Sequence, residues 1–379
     1  MRTALVNGRI LAGERIVSGQ TVLLSQGRIE GVVPAADPRC RDAIIVDLEG
    51  QLLLPGFIDV QVNGGGGVLF NDDPSLESIR AIGAAHRRFG TTGFLPTLIS
   101  DDLDTIGQAI AAVQASLDAR LPGVLGIHIE GPFLNWARRG VHDPKHLRRL
   151  DSGVISLLHS LRGGRTVLTL APEMTTTEMI AQLSASGILL SAGHSDANFA
   201  QTSAAIAHGV RGFTHLFNAM APLAPREPGI VGAALFDADT WCGIIVDGHH
   251  VDPVMLKLAL RCKRHDKFML VTDAMPPVGS PEPSFVLQGR TIHVKDGVCR
   301  DENGTLAGTG LDMATAVRNA VSLVGLEIEE AARMASEYPA AFLGLDHELG
   351  RIAAGYRANL ALLDDDLRVT RTWIEGIAS

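Results

Sequence analysis

Between Pro55 and Ala274 the sequence repeats one pattern, a short apolar run followed by a longer amphipathic stretch. The runs are GFIDVQV, TGFLPTL, GVLGIHIE, RTVLTLAP, ILLSAGH, GFTHLF, CGIIVDG and FMLVTDA, eight in all. Alternation of this kind implies βα units and a parallel sheet. SLESIRAIGAAHRRFG is one helix candidate, with Gly90 as its C-terminal stop. DDLDTIGQAIAAVQASLDAR is another, and its leading acids suit the positive end of a helix dipole. Eight such units predict an α/β fold of the (β/α)8, TIM-like barrel type. An open doubly wound sheet is the alternative; it is disfavoured because no G-x-G-x-x-G turn follows the first run.

The two ends of the chain differ in kind from the middle. Residues 1–53 break into short β-rich pieces at Asn7-Gly8, Gln26-Gly27 and Glu49-Gly50, where glycine is expected to supply the positive φ of tight turns. RIAAGYRANLALLDDDLRVTRTWIEG, near the other end, has the same short-strand character. These pieces form either an independent β unit or one unit built from both ends. SFVLQGRTIHVKDGVCRDENGTLAG reads as a β-hairpin excursion after the eighth run, and Gly64–Gly67 as a flexible loop at the mouth of the first.

Hydrophobic residues make up 46% of the chain and charged residues 20%, which suits a globular protein with a large core and excludes a wholly disordered one. The net charge of −9 argues against nucleic acid or an anionic membrane as partner, while leaving room for one local cationic pocket. No apolar run approaches the ~20 residues of a membrane helix. The four cysteines are scattered and form no C-x-x-C pair, so neither a disulfide framework nor a cysteine metal site is expected. The expected compartment is the cytoplasm.

Polar residues interrupt the runs at their C-terminal ends: Asp59, Gln61 and Asn63 on the first, His128 and Glu130 on the third, Glu173 just past the fourth. His194 ends the fifth, His215 the sixth, Asp247, His249 and His250 the seventh, and Asp273 the eighth. In a barrel these ends converge on one face, so residues far apart in sequence become neighbours. Glu130, His194 and His215 then offer one carboxylate and two imidazoles, a donor set common in catalytic zinc sites that keep a position open for water. Singly, each is more simply a hydrogen-bonded or salt-bridged structural residue; together, at matching strand ends, they point to a metal. Asp273 is either the group that moves a proton to and from the attacking water or a carboxylate that orients a histidine ligand.

The segments PGFIDVQVNG, HIEGPFLN, RRGVH, AGHSDA, THLFNAM, PREPGIVGAAL, DGHH, LVTDAM and GTLAGTGLDM occur in an order that resembles the N-acetylglucosamine-6-phosphate deacetylase family, a branch of the metal-dependent amidohydrolases. The resemblance runs the length of the chain. It implies a β-sandwich from residues 1–53 and 347–379 beside a catalytic barrel at 54–346. It implies one divalent metal per chain on Glu130, His194 and His215, zinc or alternatively iron, with Asp273 as proton acceptor and donor. It places His142 beside the scissile carbonyl, and Val141, Asn218, Ala219, Leu306, Ala307 and Gly308 around the sugar. Arg226 and His250 are the implied phosphate contacts, and Asp247 is implied as a further substrate-binding residue. Arginine suits phosphate because its planar fork pairs with two oxygens. A homodimer is implied, since partner chains in the family can supply phosphate contacts.

Many amidohydrolases carry His-x-His at the end of the first strand and bind two metals; this chain has Gln61 and Asn63 there, poor ligands both. The expected reaction is hydrolysis of the acetamide of N-acetylglucosamine 6-phosphate to glucosamine 6-phosphate and acetate. The alternatives are an amidohydrolase for the galactosamine epimer or another N-acyl compound, and an inactive relative that kept the fold.

Overall fold

The computed structural model describes residues 2–379. All eight apolar runs are strands of one eight-stranded parallel sheet, in chain order. They are β1 (Phe57–Val62), β2 (Thr91–Ile99), β3 (Gly126–Glu130), β4 (Arg165–Leu170), β5 (Leu189–Ala192), β6 (Val210–Phe213), β7 (Trp241–Ile244) and β8 (Phe268–Leu270). A parallel bridge between Val62 and Ala274 joins the first strand to the segment after the eighth and closes the barrel. That seam is reinforced inside by Asp59, whose Oδ2 accepts from Thr272 Oγ1 at 2.5 Å. The strands are buried almost throughout because helices cover the outside and side chains fill the inside, which is why the runs lack hydrophilic alternation.

The helices follow their sequence signals with small offsets. Helix α1 (Leu76–Arg87) starts at Ser75, whose side chain accepts from the Ser78 amide, and ends three residues short of Gly90. Gly90 instead carries φ +85° at the turn into β2, where a Cβ would press on the Phe57 ring. Helix α2 (Leu103–Asp118) is capped by Asp102, one of the acids noted in the sequence. The two helices bury Ile79, Ile82, Ile106, Ile110 and Val113 against the barrel.

Strands from both chain ends meet in one six-stranded sheet. Leu52–Pro55 pairs antiparallel with Leu360–Leu363 and parallel with Arg9–Ala12. A four-stranded sheet of Arg2–Val6, Gln20–Ser25, Arg28–Pro34 and Ile44–Asp47 packs beside it around Leu5, Val22, Leu53, Leu360 and Trp373. The sequence reading of the turns needs one correction. At Asn7-Gly8 the positive φ, 56°, belongs to Asn7. Gly8 is required for space, since a Cβ there would lie 2.6 Å from Leu48 Cδ1.

Gly64–Gly67 is a second correction. It is not a loose loop but a tight turn in which Gly64–Gly65 pairs with Val68–Leu69. It is packed so closely that a Cβ on Gly65 would lie 2.8 Å from the His86 ring. The expected hairpin after the eighth strand is a four-stranded antiparallel excursion of Ser284–Leu287, Arg290–Lys295, Val298–Arg300 and Leu306–Thr309, folded back over the barrel mouth. No helix among the described residues is long and apolar enough to cross a membrane, and all four cysteines are free.

Candidate active site

Register explains why distant residues meet. Glu130, the last residue of β3, pairs with Thr169, and the next residue, Leu170, pairs with Ala192 of β5. Ala192 in turn pairs with Phe213 of β6. His194 and His215 each stand two residues beyond that matched pair, just past the ends of β5 and β6, so they share one register at the end of the barrel where Glu130 closes β3. Both turn inward on left-handed backbone, with φ 48° at His194 and 33° at His215. Asp273, just past β8, has φ 51°. Such conformations cost a non-glycine residue about 1–3 kcal/mol and collect where a site demands a particular side-chain direction.

The result is a buried cluster. His194 Nε2 and His215 Nε2 each lie 3.0 Å from Glu130 Oε1 and 3.0 Å from one another. The Arg138 carbonyl accepts from His194 Nδ1 at 2.8 Å, so that nitrogen holds the ring proton and Nε2 offers a lone pair. Burial opposes ionisation of Glu130, but the two histidines outweigh it and hold the carboxylate well below its usual range. Lone pairs of two imidazoles and a carboxylate aimed at one point repel each other unless a cation or proton lies between them, so the residues fit a divalent metal. Glu130, His194 and His215 are the one such group of metal-capable side chains among the described residues.

Gln61 and Asn63 are donors here. Gln61 Nε2 donates to Glu130 Oε2 at 3.2 Å and to Asp273 Oδ1 at 3.1 Å, and Asn63 Nδ2 donates to Asp273 Oδ1 at 2.7 Å. Burial, and then the charge of Glu130, push the Asp273 carboxyl up to about 6 against the opposing pull of His215, His250 and Asn63.

His142 comes from the loop after β3 and stands edge-on to His194, ring centres 4.5 Å apart. The Ser100 amide donates to His142 Nδ1 at 3.2 Å, and Ser100 Oγ lies 2.7 Å from the same atom. A backbone N–H can only donate, so His142 Nδ1 is bare and Nε2 carries the proton. Burial, then the neighbouring histidines, bring this imidazole down to about 3.

A cavity of about 280 Å³ opens over the cluster. Glu130, His142, His194, His215, Asp273, Val141, Asn218, Ala219, His250, Leu306 and Gly308 of the expected site residues line it. Asp247 stands behind its wall, where Oδ2 accepts from His250 Nδ1 at 2.6 Å. Burial resists this charge, yet the bond and charge of His250 hold Asp247 down to about 2. Ala307 is fully buried within the excursion. Arg226 does not reach this cavity; it is exposed on the loop before Gly229–Phe236.

Two strand-end residues turn out to be structural. His128 is locked between Thr97 and Thr169 hydroxyls, and Glu173 ties Asn135, Ser195 and the Asp196 amide together. Sequence reasoning missed Ile99, Ala137, Arg138, Gly140, Met275 and Thr305, which also line the cavity. Nothing in their residue types marks them.

Comparison with known proteins agrees with this architecture. The sequence profile of the amidohydrolase family matches residues 52–378. The chain is 47% identical over 330 residues to an N-acetylgalactosamine-6-phosphate deacetylase of Shewanella sp. (strain ANA-3), covering 87% of this chain and 83% of that one. It is 36% identical over 379 residues to the N-acetylglucosamine-6-phosphate deacetylase of Haemophilus influenzae, covering 99% of each. The crystal structure of N-acetylglucosamine-6-phosphate deacetylase from Pasteurella multocida superposes with a TM-score of 0.96 at 36% identity, over 100% of both chains. A barrel whose matched strand ends deliver this donor set, under a sequence profile spanning most of the chain, places the protein in the amidohydrolase family.

Proposed function

We propose that the protein hydrolyses the acetamide of N-acetylglucosamine 6-phosphate, giving glucosamine 6-phosphate and acetate. The observation that carries this reading is the cluster of Glu130, His194 and His215 at 3.0 Å, with Asp273 and His142 facing the same cavity. Relatives of 36% identity over nearly the whole chain bear that activity in their names.

Glu130, His194 and His215 would hold one divalent ion, zinc in our reading, which polarises the acetyl carbonyl and acidifies a water. Asp273 takes the proton of the attacking water as the new C–O bond forms. It delivers that proton to the sugar nitrogen as the C–N bond breaks, so acetic acid and the neutral amine form, and the acid then gives up its remaining proton to the amine or to water, leaving as acetate. Asn63 and Gln61 occupy Oδ1 of Asp273 and direct Oδ2 to this task. His142 donates from Nε2 to the carbonyl oxygen as it gains charge. Val141, Asn218, Ala219 and the Leu306–Gly308 edge enclose the sugar.

His250, braced by Asp247, meets the phosphate, and Arg226 completes the phosphate site from a partner subunit. The exposure of Arg226, together with the exposed apolar Leu223, Val254 and Leu258, supports such a homodimer. The enzyme would work in the cytoplasm, where phosphorylated sugars are kept.

The 47% identity to an N-acetylgalactosamine-6-phosphate deacetylase favours one second reading, the galacto epimer as substrate. Acetate release from both N-acetylated epimers, each with and without the 6-phosphate, tests the proposal on metal-quantified protein. Efficient turnover of the gluco phosphate supports it. Turnover of the galacto phosphate alone moves the assignment to that epimer, and turnover of neither ends the proposal.

A further inference from the structure

We infer that Gln288, on the excursion that covers the barrel mouth, is a positioning residue for His142. The inference rests on the donor role proposed for His142. Gln288 reaches to both sides of that histidine. Its Oε1 accepts from the amide of Asp143, the residue after His142, at 2.6 Å. Its Nε2 donates to the carbonyl of Ser100 at 2.7 Å. Ser100 is the residue whose amide and hydroxyl engage His142 Nδ1. One amide side chain therefore ties the histidine's own loop to the segment that sets its tautomer. Arg290, two residues on, adds a bond from Nη2 to the Val141 carbonyl at 3.3 Å.

The turn itself does not call for glutamine. Gln288 and Gly289 are the two central residues between paired strands Ser284–Leu287 and Arg290–Lys295, with φ 48° and 81°. Two positive φ values favour Asn-Gly, and a glutamine in the first position carries backbone strain. The strain is balanced by two side-chain bonds aimed at the His142 frame. The same excursion supplies Thr305, Leu306 and Gly308 to the cavity wall. Closing the wall and aligning His142 are thus tasks of one structural unit.

The test uses Gln288→Asn, which suits the turn but is too short to span the gap, and Gln288→Met, which keeps length without hydrogen bonds. Both should lower kcat on N-acetylglucosamine 6-phosphate by roughly 10- to 100-fold, the order expected when a reacting group is displaced by about 1 Å. KM and bound metal should stay near wild type, and the Asn variant should keep its thermal midpoint. In a His142→Ala background neither change should cost further activity. ¹⁵N spectra of histidine-labelled protein supply a readout apart from catalysis: His142 should show a bare Nδ1 in wild type and an averaged tautomer in Gln288→Asn. Identical spectra would overturn the clamp, as would a wild-type kcat in both variants or equal losses with and without His142. Wild-type kcat in His142→Ala alone would sink the donor role and leave the spectra to judge the clamp.

Discussion

Asn63 donates from Nδ2 to Asp273 Oδ1 at 2.7 Å, across the seam where the first barrel strand meets the eighth. Asn63 thus serves as a hydrogen-bond donor to the carboxylate proposed to move protons. Since Gln61 engages the same oxygen, Asp273 has one oxygen held and one available.

Asp273→Asn should lower kcat by roughly 10²–10⁴-fold, the usual worth of a general acid–base group. Metal content measured by elemental analysis should not change, because Glu130, His194 and His215 are untouched. Wild-type turnover in this variant would remove Asp273 from the mechanism.

The same amides argue for a single ion. Active protein should contain about one equivalent of metal per chain, because Gln61 and Asn63 add no ligand to a second position. Chelation should abolish acetate release and lower the thermal midpoint. An ion present at about 1,000 times its Kd stabilises the fold by about 4 kcal/mol, and removing it forfeits that. Zinc should restore both properties. A content near two equivalents would contradict the reading.

Arg226 can be located by mixing differently impaired dimers and assaying them at a substrate concentration well below the KM of Arg226→Ala. Arg226→Ala alone should raise KM for the phosphorylated sugar and narrow its advantage over the unphosphorylated one. When Arg226→Ala and Asp273→Asn chains exchange, a mixed dimer has one site with both intact residues only if Arg226 acts across the interface. Recovered activity supports that arrangement; no recovery in verified mixed dimers returns Arg226 to its own chain.

Asp59 gives a pH prediction apart from the metal. Burial lifts its carboxyl to about 7 despite bonds from Thr272 and the Gln61 amide. The folded protein therefore binds a proton there more tightly than the unfolded chain does. Asp59 does least harm to stability below about pH 4, and its cost grows as pH rises to about 7, by up to about 4 kcal/mol at roughly 1.4 kcal/mol per pH unit. Asp59→Asn removes the titration, so denaturant midpoints should favour the variant more at pH 8 than at pH 5. A constant difference between the two proteins across that range would refute the assignment.

Much of the molecule was legible in the sequence for a physical reason. Strands buried on both faces must be short and apolar, so the eight runs announced themselves, and a parallel barrel gathers strand ends on one face. The polar residues closing those runs therefore contained Glu130, His194, His215 and Asp273. The same rule also drew in His128 and Glu173, which the fold spends on hydrogen bonds. A strand end says where a residue sits, not which way it turns.

Direction, contact and closure were decided only in three dimensions. The left-handed backbone at His194, His215 and Asp273 aims each side chain inward, and no local propensity foretells it at those residue types. Gly64–Gly67 is a tight turn because Val68, His86 and Pro276 crowd it; Val68 is its own neighbour in the chain, but His86 comes from α1 and Pro276 reaches it only once the barrel has closed. The Gln288 bridge to Ser100 and Asp143 spans 188 and 145 residues of chain. Amino-acid order alone determined the strands, the barrel and the donors, because burial and periodicity are local. Which atoms touch depends on packing between segments far apart, so the proton on His142, the held oxygen of Asp273 and the outward placement of Arg226 belong to the tertiary structure.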